Sequence, residues 1–226
     1  MFSIKLKLVM NLGFIGTGKI SESVINGIFK SKLKFKKIYI SKRNARISKR
    51  LKKKFKKIVI KNENQSILNH ADWIFLAVTP KVGEKILKEL RFKSKHIIVS
   101  FISTIKLPKL KKLIKVQANI VRAIPLPFIS LRKGPIPIFP ANKKVKNFFN
   151  KLGTVIEIKN EKLSINFWAL SGMMASYYKS LSVLSDWLVK KGIKRINAQN
   201  YITSLFLALS EDAVVNSKKD LKFLVK

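Results

Sequence analysis

The residues best placed to do chemistry stand near the start of the chain, where Gly13-Phe14-Ile15-Gly16-Thr17-Gly18-Lys19-Ile20-Ser21 follows an apolar run. A first glycine permits a tight strand-to-helix turn, and a second lets the backbone approach a pyrophosphate. The amides that open the helix then point at the anion. Gly16 and Gly18 fill those positions and Ser21 takes the third small one, so Gly16, Thr17, Gly18, Lys19 and Ile20 are expected to hold a dinucleotide. The second expected strand ends at Ser41-Lys42-Arg43-Asn44. A carboxylate there would accept a hydrogen bond from the ribose 2′-hydroxyl of NAD, and none is present. A hydroxyl flanked by cations suits the 2′-phosphate of NADP, which assigns Ser41 and Arg43 to the cofactor and leaves Arg43 free to lie on the adenine.

Other chemistries are excluded by composition. With no cysteine and only two histidines, the chain has no thiolate nucleophile, no disulfide framework and too few imidazoles for a histidine metal centre. The formal net charge of +37 comes from 41 lysines and seven arginines against 11 acids. Base-reading proteins favour arginine, whereas lysine decorates solvent-exposed faces, so no specific nucleic acid is expected as a partner. Such a field still concentrates anionic ligands. The longest uncharged stretch, Leu163 to Tyr178, is shorter than the roughly 20 apolar residues a span needs. No membrane partner follows and a cytoplasmic location is expected, with residues 1 to 9 a loose tail whose deletion does no harm.

The elements that must position these groups alternate. Leu8 to Ile15 reads as a strand, and Val24, Ile25, Ile28 and Phe29 then fall at helical spacing. Lys37 to Ile40, Ile58 to Ile60, Asp72 to Val78, His96 to Phe101 and Asn119 to Arg122 read as further strands separated by helical spacings. After Asp72 the run to Val78 is apolar throughout, as in a central strand covered on both faces. A proline-rich passage from Pro125 to Pro140 is expected to be loop or sheet edge. His70 and His96 read as loop residues. Beyond Ile158 the spacing is helical only. The fold class is therefore α/β, with an N-terminal Rossmann-type, doubly wound parallel sheet over residues 1–158 and a smaller all-helical domain over 159–226. The excess charge is +31 on the first part and +6 on the second.

The order of these motifs resembles the pyrroline-5-carboxylate reductase family from about Leu8 to Leu209. The glycine fingerprint, Ser41 with Arg43, Asn64 ahead of Ala71-Asp72, Ala77-Val78-Thr79-Pro80 after the fourth strand and Val121-Arg122 before Pro125 carry the likeness. The resemblance implies an NADPH-dependent reductase that converts 1-pyrroline-5-carboxylate to proline. It implies that Asn64 touches the adenosine ribose and that Ala77, Val78 and Pro80 line the cofactor toward the nicotinamide. Pro125, with Ser171, Gly172 and Ser176 at the mouth of the helical part, would meet the small imine acid. No catalytic residue and no metal is assigned.

The chain departs from the family where substrate should bind. Ile124-Pro125-Leu126-Pro127-Phe128 lacks the family's polar Asn-Thr pair, and Met173-Met174-Ala175 replaces a Ser-Gly-Pro segment. The family also continues into a further loop and helices, so the helical part here is expected to be incomplete. These departures leave two alternatives open: an NADP-dependent reductase of another imine or carbonyl, or a dinucleotide-binding protein without turnover. Tyr177, Thr203 and Ser204 are further polar candidates, while Asp186, Glu211 and Asp212 read as surface salt-bridge partners. Trp168, Tyr177, Tyr178, Trp187 and Tyr201 crowd the helical part, and a two-helix tail could hardly bury them alone. A homodimer through this region is expected.

Overall fold

Alternating strands and helices assemble here into a single eight-stranded sheet. The computed structural model describes residues 9–225, so the tail lies largely outside the described residues. Its first half runs β1 (Met10–Ile15), α1 (Lys19–Lys30), β2 (Phe35–Ser41), α2 (Ala45–Lys54), β3 (Ile58–Lys61), α3 (Asn64–His70), β4 (Trp73–Leu76) and α4 (Pro80–Glu89). It continues through β5 (Ile97–Ser100), α5 (Leu107–Ile114), β6 (Asn119–Ala123), β7 (Pro135–Phe139), α6 (Lys143–Phe149) and β8 (Thr154–Glu157). Strand order is β3-β2-β1-β4-β5-β6-β7-β8, parallel throughout except between β6 and β7. The winding direction reverses between β1 and β4, and a crevice at the carboxyl ends of those strands is where such sheets take their ligands.

Side-chain alternation along the strands divides the core into two layers. Leu12 and Phe14 of β1 pack with Val24, Ile25 and Ile28 of α1 and with Phe148 and Phe149 of α6, where Phe14 stacks on Phe75 at 4.5 Å. Ile15, Ile74 and Leu76 pack on the other face with Ile67, Leu87 and Leu110 from α3, α4 and α5. Both faces of β4 are thus covered, as its unbroken apolar run requires.

The proline-rich passage corrects the expectation of loop or edge, because β7 lies inside the sheet between β6 and β8. Gly134 and Ile138 accept hydrogen bonds from the amides of Thr154 and Ile158, so the even positions of β7 serve β8. Pro135 and Pro137 turn their donorless nitrogens the other way, toward β6, where the ladder is confined to Arg122↔Phe139 and Ala123↔Ile138.

His96 lies in the loop just ahead of β5, as read from the sequence, but it is fully buried there, and its Nδ1 accepts from the amide of Lys93 at 3.1 Å. His70 is a second correction, since the residue read as loop is the exposed last residue of α3. Burial, and after it the charge of Lys93, hold the His96 pKa below the ordinary 6.5, against a smaller opposing pull from the Leu68 backbone. The native state therefore binds fewer protons at this site than the unfolded chain. Its contribution is fully present above about pH 6.5 and is lost as pH falls from there toward the lowered native value. Urea midpoints measured at pH 7.5 and pH 5 are expected to fall further for the natural chain than for His96→Asn, which has no proton to gain there.

The chain divides into two compact units, Met1–Ile165 and Asn166–Lys226. A 3₁₀ turn (Glu161–Leu163) leads to α7 (Ser164–Leu170), and a second turn over Ser171–Met173 to α8 (Met174–Lys190), followed by α9 (Arg195–Val215). The second unit is a pair of long helices with almost no core: among its described apolar side chains only Ala198 and Ile202 are buried. Asp186 pairs with Arg195 across the α8–α9 turn, which holds its carboxyl below the usual range and gives it the salt-bridge role its sequence setting suggests.

Candidate functional site

The site is built where β1 gives way to α1. The amide of Ala77 donates to the carbonyl of Ile15 at 2.8 Å, which extends the β1–β4 ladder to the residue just before the turn. Gly16 then takes φ +95°, and a Cβ placed there would lie 2.4 Å from the Ala77 carbonyl oxygen. Only glycine meets both conditions. Gly18 differs, since a Cβ on it meets nothing within 4 Å and the backbone is extended. The space over Gly18 is open, as a ligand that approaches the backbone requires. No side chain caps the N-terminus of α1, so its first amides are available to an anion.

Serine in the third small position of the fingerprint has a local reason. Ser21 is fully buried and its Oγ donates to the Gly16 carbonyl at 2.6 Å, tying the helix back to the turn. Ser41 plays a similar part from β2. Its Oγ accepts from the Gly16 amide at 3.1 Å, while Thr17 Oγ1 donates to its carbonyl at 2.6 Å. Both Ser41 and Thr17 are buried. This relocates the role read for the Ser41 hydroxyl, which stands behind the glycine turn and holds it in shape instead of facing the cavity.

A cavity of about 420 Å³ opens beyond the carboxyl ends of β1, β2 and β4, lined by Gly16, Thr17, Gly18, Arg43 to Ala45 and Ala77 to Thr79. It is of a size to take part of a dinucleotide. Arg43 is exposed on its wall and has no carboxylate partner among the described residues. The donor set fits a phosphorylated cofactor: open amides over Gly18, a free guanidinium at the end of β2, and no acid where NAD would want one. Asn44, Ala45 and Thr79 line the cavity without standing out in the sequence. Both Asn44 and Thr79 are N-cap residues three positions past the end of a strand, a signal that could have found them.

The other expected positions lie elsewhere. Lys19 and Ile20 form the first turn of α1, Asn64 is the first residue of α3, and Pro80 occupies the first turn of α4; none of the four lines this cavity. Pro125 is buried just after β6. Ser171, Gly172 and Ser176 belong to the second unit, where the Ser171 Oγ donates to the Phe167 carbonyl at 2.9 Å and Gly172 and Ser176 are exposed. The described residues hold no cluster of three or more His, Cys, Asp or Glu fit for a metal.

Arg122 is a landmark in the sequence, but its partner is not. Arg122, at the end of β6, is 5% exposed, and its Nη1 donates to Glu161 Oε1 at 2.5 Å. Its Nη2 donates to the carbonyl of Ser103, and the same Glu161 oxygen accepts from the amide of Leu107 at 2.7 Å. Glu161 thus caps α5 from a distance while pairing a buried arginine, and the node fixes the loop that follows β5.

A doubly wound sheet with this turn and cavity at its switch point defines the class, an α/β protein of the dinucleotide-binding type. A family model described as NADP oxidoreductase coenzyme F420-dependent matches residues 11–104. Pyrroline-5-carboxylate reductase 3 of Xenopus laevis is 22% identical over 213 residues, covering 89% of this chain and 76% of that one. Two solved structures share the fold. The 1-pyrroline-5-carboxylate reductase of Streptococcus pyogenes superposes with a TM-score of 0.78 at 22% identity, covering 96% of this chain and 84% of that one. The pyrroline carboxylate reductase of Plasmodium falciparum with NADP bound also gives 0.78, at 23% identity with 93% and 80% covered. The chain is thus similar in sequence to a pyrroline-5-carboxylate reductase and shares the fold of two more.

Proposed function

We propose that this protein reduces 1-pyrroline-5-carboxylate to proline with NADPH, in the cytoplasm. The observation that carries the reading is the cavity that joins the Gly16–Gly18 turn, the Arg43 wall and the Ala77–Thr79 turn beyond three parallel strands. When bound, the nicotinamide supplies the hydride for a C=N reduction, so the protein's part is to bind, orient and exclude water. The α1 amides and the backbone over Gly18 take the pyrophosphate, and Arg43 takes the 2′-phosphate. Ala77 and Val78 form the wall toward the nicotinamide, and the family pattern adds Pro80 beside them and Asn64 toward the ribose. Pro125, Ser171, Gly172 and Ser176 are the residues assigned to the imine acid, on the strength of the family pattern.

Loss of NADPH absorbance on adding pyrroline-5-carboxylate tests the reaction, with NADH run beside it. Turnover is expected with both and faster with NADPH. Arg43→Ala is expected to weaken NADPH binding by about 10- to 100-fold, the worth of a charged hydrogen bond, and to leave NADH binding within about twofold. Equal losses for the two cofactors would remove the 2′-phosphate from Arg43. Bound NADPH without turnover would shift the reading to another imine or carbonyl substrate, or to a binding protein.

The second unit supports a homodimer as the working form. Trp187 is 57% exposed, Tyr201 62% and Leu209 56%, and side chains of this size at water-facing helix positions call for a covering surface. Light scattering is expected to give twice the chain mass at micromolar concentration in moderate salt, and Trp187→Lys with Tyr201→Asp is expected to give the monomer.

A further inference from the structure

Composition accounts for a high lysine content but not for where the charge lies. Between Glu22 and Glu63 stand sixteen of the 48 basic residues and none of the 11 acidic ones. The fold gathers many of them at one rim. Lys34 and Lys36 flank Phe35 at the start of β2, Lys56 and Lys57 precede the start of β3, and α1 and α2 end at Lys30 and Lys54. All of these mark the amino ends of the outer two parallel strands.

Direct contacts draw the segments together. Lys57 Nζ donates to the Phe35 carbonyl at 3.3 Å and lies over the Phe35 ring, while Phe55 stacks on Phe29 at 3.8 Å and brings the end of α2 against the end of α1. Among the sixteen, only Arg50 meets a carboxylate of the described residues, that of Glu22. Lys34, Lys36, Lys53 and Lys56 are exposed, and their ammonium groups make no hydrogen bond among the described residues. Uncompensated like charges this close oppose the folded state, and a polyanion relieves that repulsion by displacing small counterions.

We propose that this rim, formed by the amino ends of β2 and β3 with the C-terminal ends of α1 and α2, is a docking surface for the phosphate backbone of duplex nucleic acid. What the rim lacks decides the kind of partner. No large apolar side chain is exposed between Glu22 and Glu63, and Phe29, Phe35 and Phe55 pack against one another. The surface therefore offers neither a wedge for a bilayer nor a platform for unstacked bases. Lysines without base-reading groups contact phosphates, so binding is independent of sequence. The rim stands at the opposite ends of the strands from the dinucleotide cavity, so duplex and cofactor do not compete.

Fluorescence anisotropy of a labelled 24-base-pair DNA duplex, titrated with the full chain between 50 and 200 mM NaCl, tests the surface. The logarithm of affinity is expected to fall linearly with the logarithm of salt, identically for a second, unrelated duplex. Combined Lys34→Gln, Lys36→Gln, Lys53→Gln and Lys56→Gln is expected to weaken binding at least about tenfold and to lower the salt slope by about one unit for each phosphate that is no longer neutralised. NADPH binding should stay as it was, and the melting temperature should hold or rise as the like-charge repulsion is relieved. The control removes the same charge from helices α4 and α5, through Lys85→Gln, Lys88→Gln, Lys111→Gln and Lys112→Gln. An equal loss from that control set would overturn the assignment in favour of net charge alone. So would absence of duplex binding at 50 mM salt, or tighter binding to phosphatidylserine vesicles or to polyglutamate than to the duplex.

Discussion

Glu161→Ala is expected to lower the stability of the first unit by about 3 to 5 kcal/mol, read as a fall in the urea midpoint, although the glutamate is far from the glycine turn in sequence. Its carboxylate is the partner of an arginine that is 5% exposed, and it holds the amide of Leu107 as well. Removing it strands a buried guanidinium whose Nε already has no hydrogen-bond partner among the described residues. The cost comes from the orphaned charge rather than from the strength of the pair. Glu161→Gln keeps an acceptor for both donors and is expected to lose less than half as much. Arg122→Met combined with Glu161→Leu removes both charges and should be milder than Glu161→Ala alone, so the double substitution will depart strongly from additivity. If the two single changes simply sum, the pair is not coupled as its geometry requires.

That node also shows which parts of the molecule could be read from residues alone. β1, α1 and β4 were legible because their apolar spacing is set by burial on one or two faces, and burial follows periodicity. The turn was legible because only glycine tolerates φ +95° beside another strand. β7 was not, since Pro135 and Pro137 look like ladder breakers until it is known which neighbour their nitrogens face. β8 offers only Thr-Val-Ile-Glu, too short a run to show alternation. Glu161 meets Arg122 through a fold that brings together residues 39 apart, and no local spacing encodes that. His96 illustrates the same gap: a histidine that follows two lysines reads as a loop residue, and nothing in that setting shows that the turn ahead of β5 buries it completely. The Ser41 hydroxyl was assigned to a ligand by the chemistry of its neighbours, whereas its orientation depends on how β2 lies beside the turn.

Gly16→Ala and Gly18→Ala should separate the fold of the cofactor turn from its function. At Gly16 the new methyl would lie 2.4 Å from the Ala77 carbonyl oxygen, 2.7 Å from Val78 Cγ1 and 2.8 Å from the Ala77 carbonyl carbon. The backbone cannot yield easily, because Ala77 is tied to Ile15 through its amide and the Gly16 amide and carbonyl are held by Ser41 and Ser21. Positive φ adds about 1 to 2 kcal/mol of strain to the overlap. Gly16→Ala is therefore expected to lower the melting temperature and to weaken NADPH binding by about two orders of magnitude or more, as the turn opens and its amides lose their aim. At Gly18 the methyl meets only open space, and the extended φ of −94° suits alanine. Gly18→Ala should melt with the natural chain or slightly above it, since alanine narrows the unfolded ensemble. Its effect is confined to binding, where the methyl occupies the room a pyrophosphate needs against the backbone. Isothermal titration with NADPH is expected to show a clear loss of affinity at unchanged stability. Full affinity in Gly18→Ala would mean that no phosphate closes on that residue, and the cofactor's path through the cavity would have to be drawn along Arg43 and Ala77 instead.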